Sequence, residues 1–190
     1  MDIHGSGRGS PVPGRSAGDA TQVLLGLLQN AGRSRGPGTV RRPRAALLTC
    51  VDERVVPEAI FGCGPGSLYA VRLAGNIVIP EVVSSLEIAQ GLGCPLVLVL
   101  GHSDCSAVRL EREGTCDHFP ITQQIRRATR PLPFQASLED AIEANVLHSV
   151  SELRSRLRVL VAGGVYDVMT GQVKMLESPA ASSTWIRPLT

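Results

Sequence analysis

Two short segments of this 190-residue chain gather residue types that can carry out metal chemistry. Cys50-Val51-Asp52-Glu53-Arg54 follows one apolar run, and His102-Ser103-Asp104-Cys105 follows another at residues 95–100. Cys50, His102 and Cys105 offer two thiolates and an imidazole, a zinc-type ligand set. Three protein ligands leave a fourth tetrahedral position free, which is the pattern of a catalytic rather than a structural zinc. Zinc lowers the pKa of a water it binds from about 15.7 to roughly 7, so hydroxide exists at neutral pH. Asp52 would accept the hydroxide's hydrogen and aim its lone pair. Arg54 would hold Asp52 through a charge-assisted pair. Each motif alone is weak, because a buried Cys is more often a small core residue. Two motifs, each directly after an apolar strand, provide the structural context that makes a metal site.

The elements that must position these residues alternate along the chain. A strand is predicted over 45–50, a short helix over 57–61 and a second strand over 68–73. A helix over 80–92 turns Val82, Val83, Leu86 and Ala89 inward. The third strand, 95–100, is apolar throughout and is therefore expected to be buried on both faces. Helices follow over 105–112, 121–130 and 138–157, the last with Leu138, Ile142, Val146, Val150 and Leu153 in register. A fourth strand is expected over 159–162. Residues 165–168 and 173–176 flank Thr170-Gly171, a hairpin turn signal. The pattern predicts an α/β fold: a mostly parallel central sheet flanked by helices, with an N-terminal helical arm and a C-terminal antiparallel edge hairpin. In such sheets ligands bind beyond the carboxyl ends of strands, where strand order reverses. Both candidate segments lie at strand ends. Cys105 also falls at a helix start, where free N–H groups favour the thiolate.

Length and composition divide the chain into a flexible basic arm, 1–44, and an α/β zinc-binding catalytic domain, 45–190. Residues 1–17 are rich in Gly, Pro, Ser and Arg, a disordered composition. Asp19 can cap an amphipathic helix over 20–31, with Val23, Leu24, Leu27 and Leu28 on one face. Such a helix between two loose segments must dock on the body or on another subunit, and a homodimer or a higher multiple is expected. The arm carries seven Arg against Asp2 and Asp19, while the rest is slightly acidic. A basic tail of this kind is read as solvated, and an aromatic content of 3% argues against stacking on single strands, so no nucleic-acid partner is expected. No apolar run approaches the ~20 residues of a membrane span, and no apolar leader segment opens the chain. Five cysteines, an odd number, suit a reducing compartment, and the expected location is cytoplasmic.

The motifs resemble those of the β-class carbonic anhydrases. The family pattern is Cys-x-Asp-x-Arg, then Arg-x-Ala-Gly-Asn, then Gly-His-x-x-Cys. Here it stands as Cys50 to Arg54, Arg72-Leu73-Ala74-Gly75-Asn76 and Gly101-His102-Ser103-Asp104-Cys105, in the same order and spacing. The resemblance extends from Ala45 to Leu176 and takes in Val165-Tyr166-Asp167-Val168. It implies zinc as cofactor on Cys50, His102 and Cys105, a catalytic dyad of Asp52 and Arg54, and reversible hydration of carbon dioxide to bicarbonate, with dimers as the assembly. In some members the Asp closes onto the metal at lower pH.

The chain departs from the family pattern in three places. Glu53 stands where the commonest version has Ser, a form also found in relatives that hydrolyse carbon disulfide. Alternation in an extended loop turns Glu53 away from the metal. Ser106 replaces a Gly whose main-chain N–H can donate to bicarbonate, and that N–H survives the change. Arg41 occupies a position where the plant-like branch has a substrate-binding Gln. Two rivals follow: the same zinc chemistry on carbonyl sulfide or carbon disulfide, and a non-catalytic metal-stabilised binding subunit. The Asp52–Arg54 dyad argues against the second, because a structural site has no use for it. Cys116-Asp117-His118 is read as a solvated loop, Cys63 and Cys94 as packing residues, Asn76 as a structural hydrogen bonder, Gly75 as a site of tight backbone packing, and His148 as a structural histidine.

Overall fold

The computed structural model describes residues 43–177. Residues 1–42 of the arm predicted over 1–44, with its helix and Arg41, lie outside the described residues. Five strands form one sheet: β1 (Ala45–Thr49), β2 (Leu68–Arg72), β3 (Leu96–His102), β4 (Leu160–Tyr166) and β5 (Val173–Glu177), in the order β2-β1-β3-β4-β5. The first four run parallel and β5 pairs antiparallel to β4. The helices are α1 (Pro57–Ile60), α2 (Pro80–Gly91), α3 (Ser106–Glu113), α4 (Pro120–Thr129) and α5 (Leu138–Arg154), with a 3-10 turn at Ala74–Asn76. No helix among the described residues is long and apolar enough to cross a membrane.

Local chemistry sets the helix starts. Proline opens α1, α2 and α4, where its missing N–H has no partner to lose. Ser137 and Asp140 form a reciprocal capping box at the head of α5. The apolar stripe expected on 138–157 then does its work: Val146, Val150 and Leu153 pack with Val82, Val83, Leu86 and Ala89 of α2 over Ala46, Leu48, Val97, Val99 and Val161 of the sheet. Leu47, Leu98, Leu100 and Ala162 face the other way and are buried as well. β3 is thus buried on both faces, as its unbroken apolar run required.

Two boundaries differ from expectation. β3 does not stop at Leu100. Gly101 and His102 go on pairing with Val165 and Tyr166, so His102 is the last residue of a strand and not the first of a loop. β4 likewise absorbs Gly163 and Gly164, which sequence left between a strand and a hairpin arm. A Cβ at Gly163 would stand 2.8 Å from Val150 Cγ2, so the glycine lets α5 lie directly on the sheet. The ladder to β5 slips at Gly163/Gly164 as a bulge. The hairpin itself closes as Thr170-Gly171 signalled: the Asp167 N–H donates to the Gln172 carbonyl, the Gly171 N–H donates to the Asp167 carbonyl, and Gly171 has φ 75°.

Gly101 is the tightest point of the fold. A Cβ there would sit 2.5 Å from Val146 Cγ2. Val146 is fully buried and β-branched, so it has little rotamer freedom to retreat. Gly101→Ala should cost about 1–3 kcal/mol by overpacking and lower Tm by several degrees, as read by thermal denaturation of the metal-free protein.

Candidate metal centre

The reversal of strand order falls between β1 and β3: the chain leaves β1 toward β2 on one side, then crosses to β3 on the other. Thr49 of β1 is level with Leu100 of β3, and the Thr49 hydroxyl donates to the Leu100 carbonyl at 2.9 Å. The residue that follows β1 is Cys50, and two further along β3 is His102. Cys105 caps the N-terminus of α3. The structure therefore brings Cys50 together with His102 and Cys105, which follow it by some fifty positions in sequence. Their ligand atoms all lie within 4.8 Å of one another, the one such group among the described residues. Cys50, His102 and Cys105 are 4%, 0% and 1% exposed.

These residues fit a metal ion on three counts. First, His102 Nδ1 lies 2.9 Å from the Ser103 carbonyl, which can only accept, so Nδ1 carries the hydrogen and Nε2 presents a bare lone pair. That Nε2 is buried and makes no hydrogen bond. A buried polar atom left unpaired is costly, and coordination is what a neutral imidazole with one fixed nitrogen is suited to. Second, the Cys50 thiol is held well below the usual thiol range, chiefly by a hydrogen bond from Cys105, with further help from the Asp52 and Gly75 N–H groups against the opposing effect of burial. Third, the Cys105 thiol is pushed up by its hydrogen bond to Cys50, by burial and by the Cys50 charge, although the Ala107 and Val108 N–H groups at the head of α3 oppose this. Two thiols this close share a proton unless a divalent cation neutralises both.

Asp52 and Arg54 lie beside this group. The Arg54 guanidinium grips the Asp52 carboxylate with two parallel bonds, Nε to Oδ1 at 2.9 Å and Nη2 to Oδ2 at 2.8 Å, and the Arg54 main-chain N–H adds a third. The Asp52 side chain is only 8% exposed. Its carboxyl is held at about 2 by the Arg54 hydrogen bonds, against the opposing effect of burial. Asp52 Oδ2 stands 3.8 Å from His102 Nε2. Glu53, between them, is exposed.

The Arg72–Asn76 stretch is the frame behind the first ligand. Arg72 donates from Nε to the Cys50 carbonyl at 3.1 Å and from Nη2 to the Asp52 carbonyl at 2.7 Å. Gly75, at φ 67°, turns its N–H onto Cys50 Sγ at 3.4 Å, and a Cβ there would stand 2.8 Å from Ile125 Cδ1. Tight packing was expected at Gly75, but its hydrogen bond to the thiol was not. Asn76 hydrogen-bonds through its carbonyl, which accepts from Ser149, while its side-chain Nδ2 has no partner. On the other side, the Ser103 N–H donates to the Tyr166 carbonyl and Ser103 Oγ accepts from the Val168 N–H, tying the ligand turn to the β4–β5 hairpin.

Asp104 and Arg109 were missed by sequence reasoning. Arg54 donates to Asp104 as well as to Asp52, and Arg109 donates to Asp104. The available signal was an Asp at the position where a tight turn leaves a strand, since Asp and Asn tolerate positive φ there. The remaining candidates stay apart from the centre. Asp117 pairs with Arg126, and His118 rests edge-on against Phe119. Cys94 is buried, whereas Cys63 is only partly so. His148, expected to be a structural histidine, is half-exposed on α5, 3.9 Å from Glu152.

Comparison with known proteins gives the same answer. The carbonic anhydrase family model matches residues 45–173. A carbonic anhydrase of Pseudomonas aeruginosa is 31% identical over 166 residues, 73% of this chain and 76% of the relative. One from Mycolicibacterium smegmatis is 41% identical over 155 residues, covering 71% and 75%. Among solved structures, the β-carbonic anhydrase CcaA superposes with a TM-score of 0.63 at 22% identity, over 83% of this chain and 95% of that one. A carbon disulfide hydrolase in its apo form superposes at 0.53 with 22% identity, over 91% and 99%. The matched region begins where β1 begins and ends where β5 begins, so it takes in the four parallel strands and all three motifs, and on that ground the chain belongs to the β-class carbonic anhydrase family.

Proposed function

We propose that this chain catalyses the reversible hydration of carbon dioxide to bicarbonate and a proton, as a carbonate dehydratase, with zinc held by Cys50, His102 and Cys105 and with Asp52 and Arg54 as the catalytic dyad. The observation that carries the reading is the unpaired lone pair of the buried His102 Nε2, facing two thiols and a carboxylate that is itself held off by an arginine. A zinc ion on these ligands would supply Lewis acidity, lowering the pKa of a bound water from about 15.7 to roughly 7 and so providing a nucleophile at neutral pH.

The chain's own residues do the rest. Asp52 is ionised from about pH 2 upward, so at any working pH it accepts hydrogen bonds and cannot donate them. It fixes which hydrogen of an incoming water points at the protein and which lone pair points at the substrate. Arg54 keeps both Asp52 oxygens in one plane. The Ser106 N–H, at the head of α3, would donate to the anion formed, the next two first-turn N–H groups being turned onto the Cys105 thiol. A second reading rests on Glu53 in the Cys50–Arg54 segment: the same centre acting on carbonyl sulfide or carbon disulfide. Stopped-flow carbon dioxide hydration beside carbonyl sulfide turnover, on protein of measured zinc content, decides between them. Carbon dioxide is expected to be the faster substrate by a wide margin.

We also propose the two-part organisation 1–44 and 45–190, a cytoplasmic setting, and a homodimer or a multiple of it in which the helix over 20–31 packs on a partner subunit. Its stripe of Val23, Leu24, Leu27 and Leu28 supports this reading. Deleting residues 1–35 should weaken association. A full-length chain that is monomeric at micromolar concentration in light scattering would sink this assembly.

Two further outcomes test the centre. Cys50→Ser and Cys105→Ser should each abolish zinc retention and activity; full zinc occupancy in either, by elemental analysis, would refute the ligand assignment. Asp52→Asn should keep zinc and lower turnover on the order of a hundredfold. The pH response separates the two groups. The folded-state pKa of Asp52 is depressed, so the stability its pair contributes is present above about 3.9 and is lost as pH falls through about 2. The dyad is therefore charged throughout neutrality, and the hydration rate should rise with a single midpoint near roughly 7, set by water. A flat rate profile at constant zinc content would exclude this chemistry.

A further inference from the structure

Asp104 stands between two of the three candidate ligands, two residues after His102 and one before Cys105. Its φ is 57°, a left-handed conformation in which Asp and Asn are the tolerated non-glycine residues. From there it receives the edge of Arg54 that Asp52 leaves open: Nη1 donates to Asp104 Oδ2 at 3.1 Å and Nη2 to the Asp104 carbonyl at 3.2 Å. The other carboxylate oxygen of Asp104 accepts from Arg109 Nη2, on α3. Arg54 is thus held along two edges by two aspartates.

The consequence is mechanical. A bidentate pair fixes Arg54 and Asp52 relative to each other, but not relative to the ligands. Both side chains leave the same loop two residues apart, so they can swing as a unit. The distance to be covered is short, because Asp52 Oδ2 is 3.8 Å from His102 Nε2. A carboxylate is an acceptable zinc ligand, and the open fourth position would admit it. What prevents the swing is an anchor outside the loop. Asp104 provides one, because it belongs to the turn that carries His102 and Cys105 and so moves with the ligands. We propose that Asp104, backed by Arg109, is a positioning residue that holds Arg54 so that Asp52 stays out of the metal's open coordination position. The inference rests on the zinc reading of the centre given above.

The test is Asp104→Asn, which keeps the tolerance for positive φ and the side-chain shape while removing the charge. In the zinc-loaded full-length chain two quantities are measured: the rate of zinc transfer to a chelator and the turnover of carbon dioxide. With the anchor weakened, Asp52 adds a fourth protein ligand. Zinc transfer should slow about two- to fivefold, the scale of a partly exposed ion pair, and turnover should fall by a similar factor. The slowing should vanish in the double variant with Asp52→Asn, and Arg109→Ala should shift both quantities in the same direction as Asp104→Asn. A merely loosened loop would release zinc faster, with or without Asp52, and that result overturns the proposal. So does an Asp104→Asn protein indistinguishable from wild type in both measurements. A zinc-loaded wild type that hydrates no carbon dioxide would sink the functional reading, whereas the chelator comparison would still decide the role of Asp104.

Discussion

Everything at this centre depends on β1 and β3 being parallel neighbours that end together. Parallel pairing places both carboxyl ends on one side of the sheet, and the register of Thr49 against Leu100 sets Cys50 beside the end of β3. A slip of one residue would turn each side chain to the opposite face. The register is secured from several directions: the buried Thr49 hydroxyl on the Leu100 carbonyl, the two carbonyls gripped by Arg72, and Gly101, whose lack of a side chain lets α5 press Val146 against the strand. The ligand geometry is therefore a property of the sheet and its packing as much as of the three ligands.

The second constraint is electrostatic. Cys50, His102 and Cys105 are almost wholly buried, and Asp52 nearly so, which is a costly place to gather negative charge. The site meets that cost in two ways. The thiols draw on main-chain N–H groups from Gly75, Ala107 and Val108, oriented dipoles that stabilise a thiolate without occupying the position that a cation would take. The carboxylate draws on a full charge, Arg54, whose planar fork matches both its oxygens. Arg54 itself is 38% exposed, so its charge stays hydrated while its inner edge works on a buried partner. An arginine in this half-in, half-out position can restrain Asp52 without adding a buried cation that would compete with the metal.

The parts of this arrangement that sequence revealed were those carried by residue type and local pattern. Apolar runs gave β1 and β3, the apolar stripe of α5 gave its packing face, and the helix starts expected at 57, 80, 105, 121 and 138 fell within a residue of those observed. The Cys50, His102 and Cys105 cluster and the Asp52–Arg54 pair beside it were legible because metal chemistry restricts such groups to particular side chains at fixed spacing. The strand ends were less so. His102 lies inside β3, and Gly163 and Gly164 inside β4, because cross-strand pairing and the close approach of α5 override a local signal that favours loops at glycine. Asp104 and Arg109 were hidden for a different reason. A surface Asp and a helical Arg are ordinary in any sequence, and their use here depends on Arg54 reaching across from a segment fifty residues away.

The contacts around the ligands divide by the kind of atom they use. Arg72 acts on the carbonyls of Cys50 and Asp52, Gly75 acts through its N–H, and Ser103 exchanges bonds with the main chain of Tyr166 and Val168. These interactions fix the path of the backbone and are indifferent to the side chains that the path happens to carry. Val51 and Glu53 point outward from that path and are exposed, so their identity is free to vary without moving Cys50 or Asp52. Among the described residues, the side-chain contacts that bear on the proposed chemistry lie in the candidate ligand set, the Asp52–Arg54 pair and the Asp104–Arg109 pair behind it. A scaffold built in this way keeps metal geometry and the restraint on the carboxylate separable: the first is set by main chain and sheet register, the second by one arginine held between two aspartates.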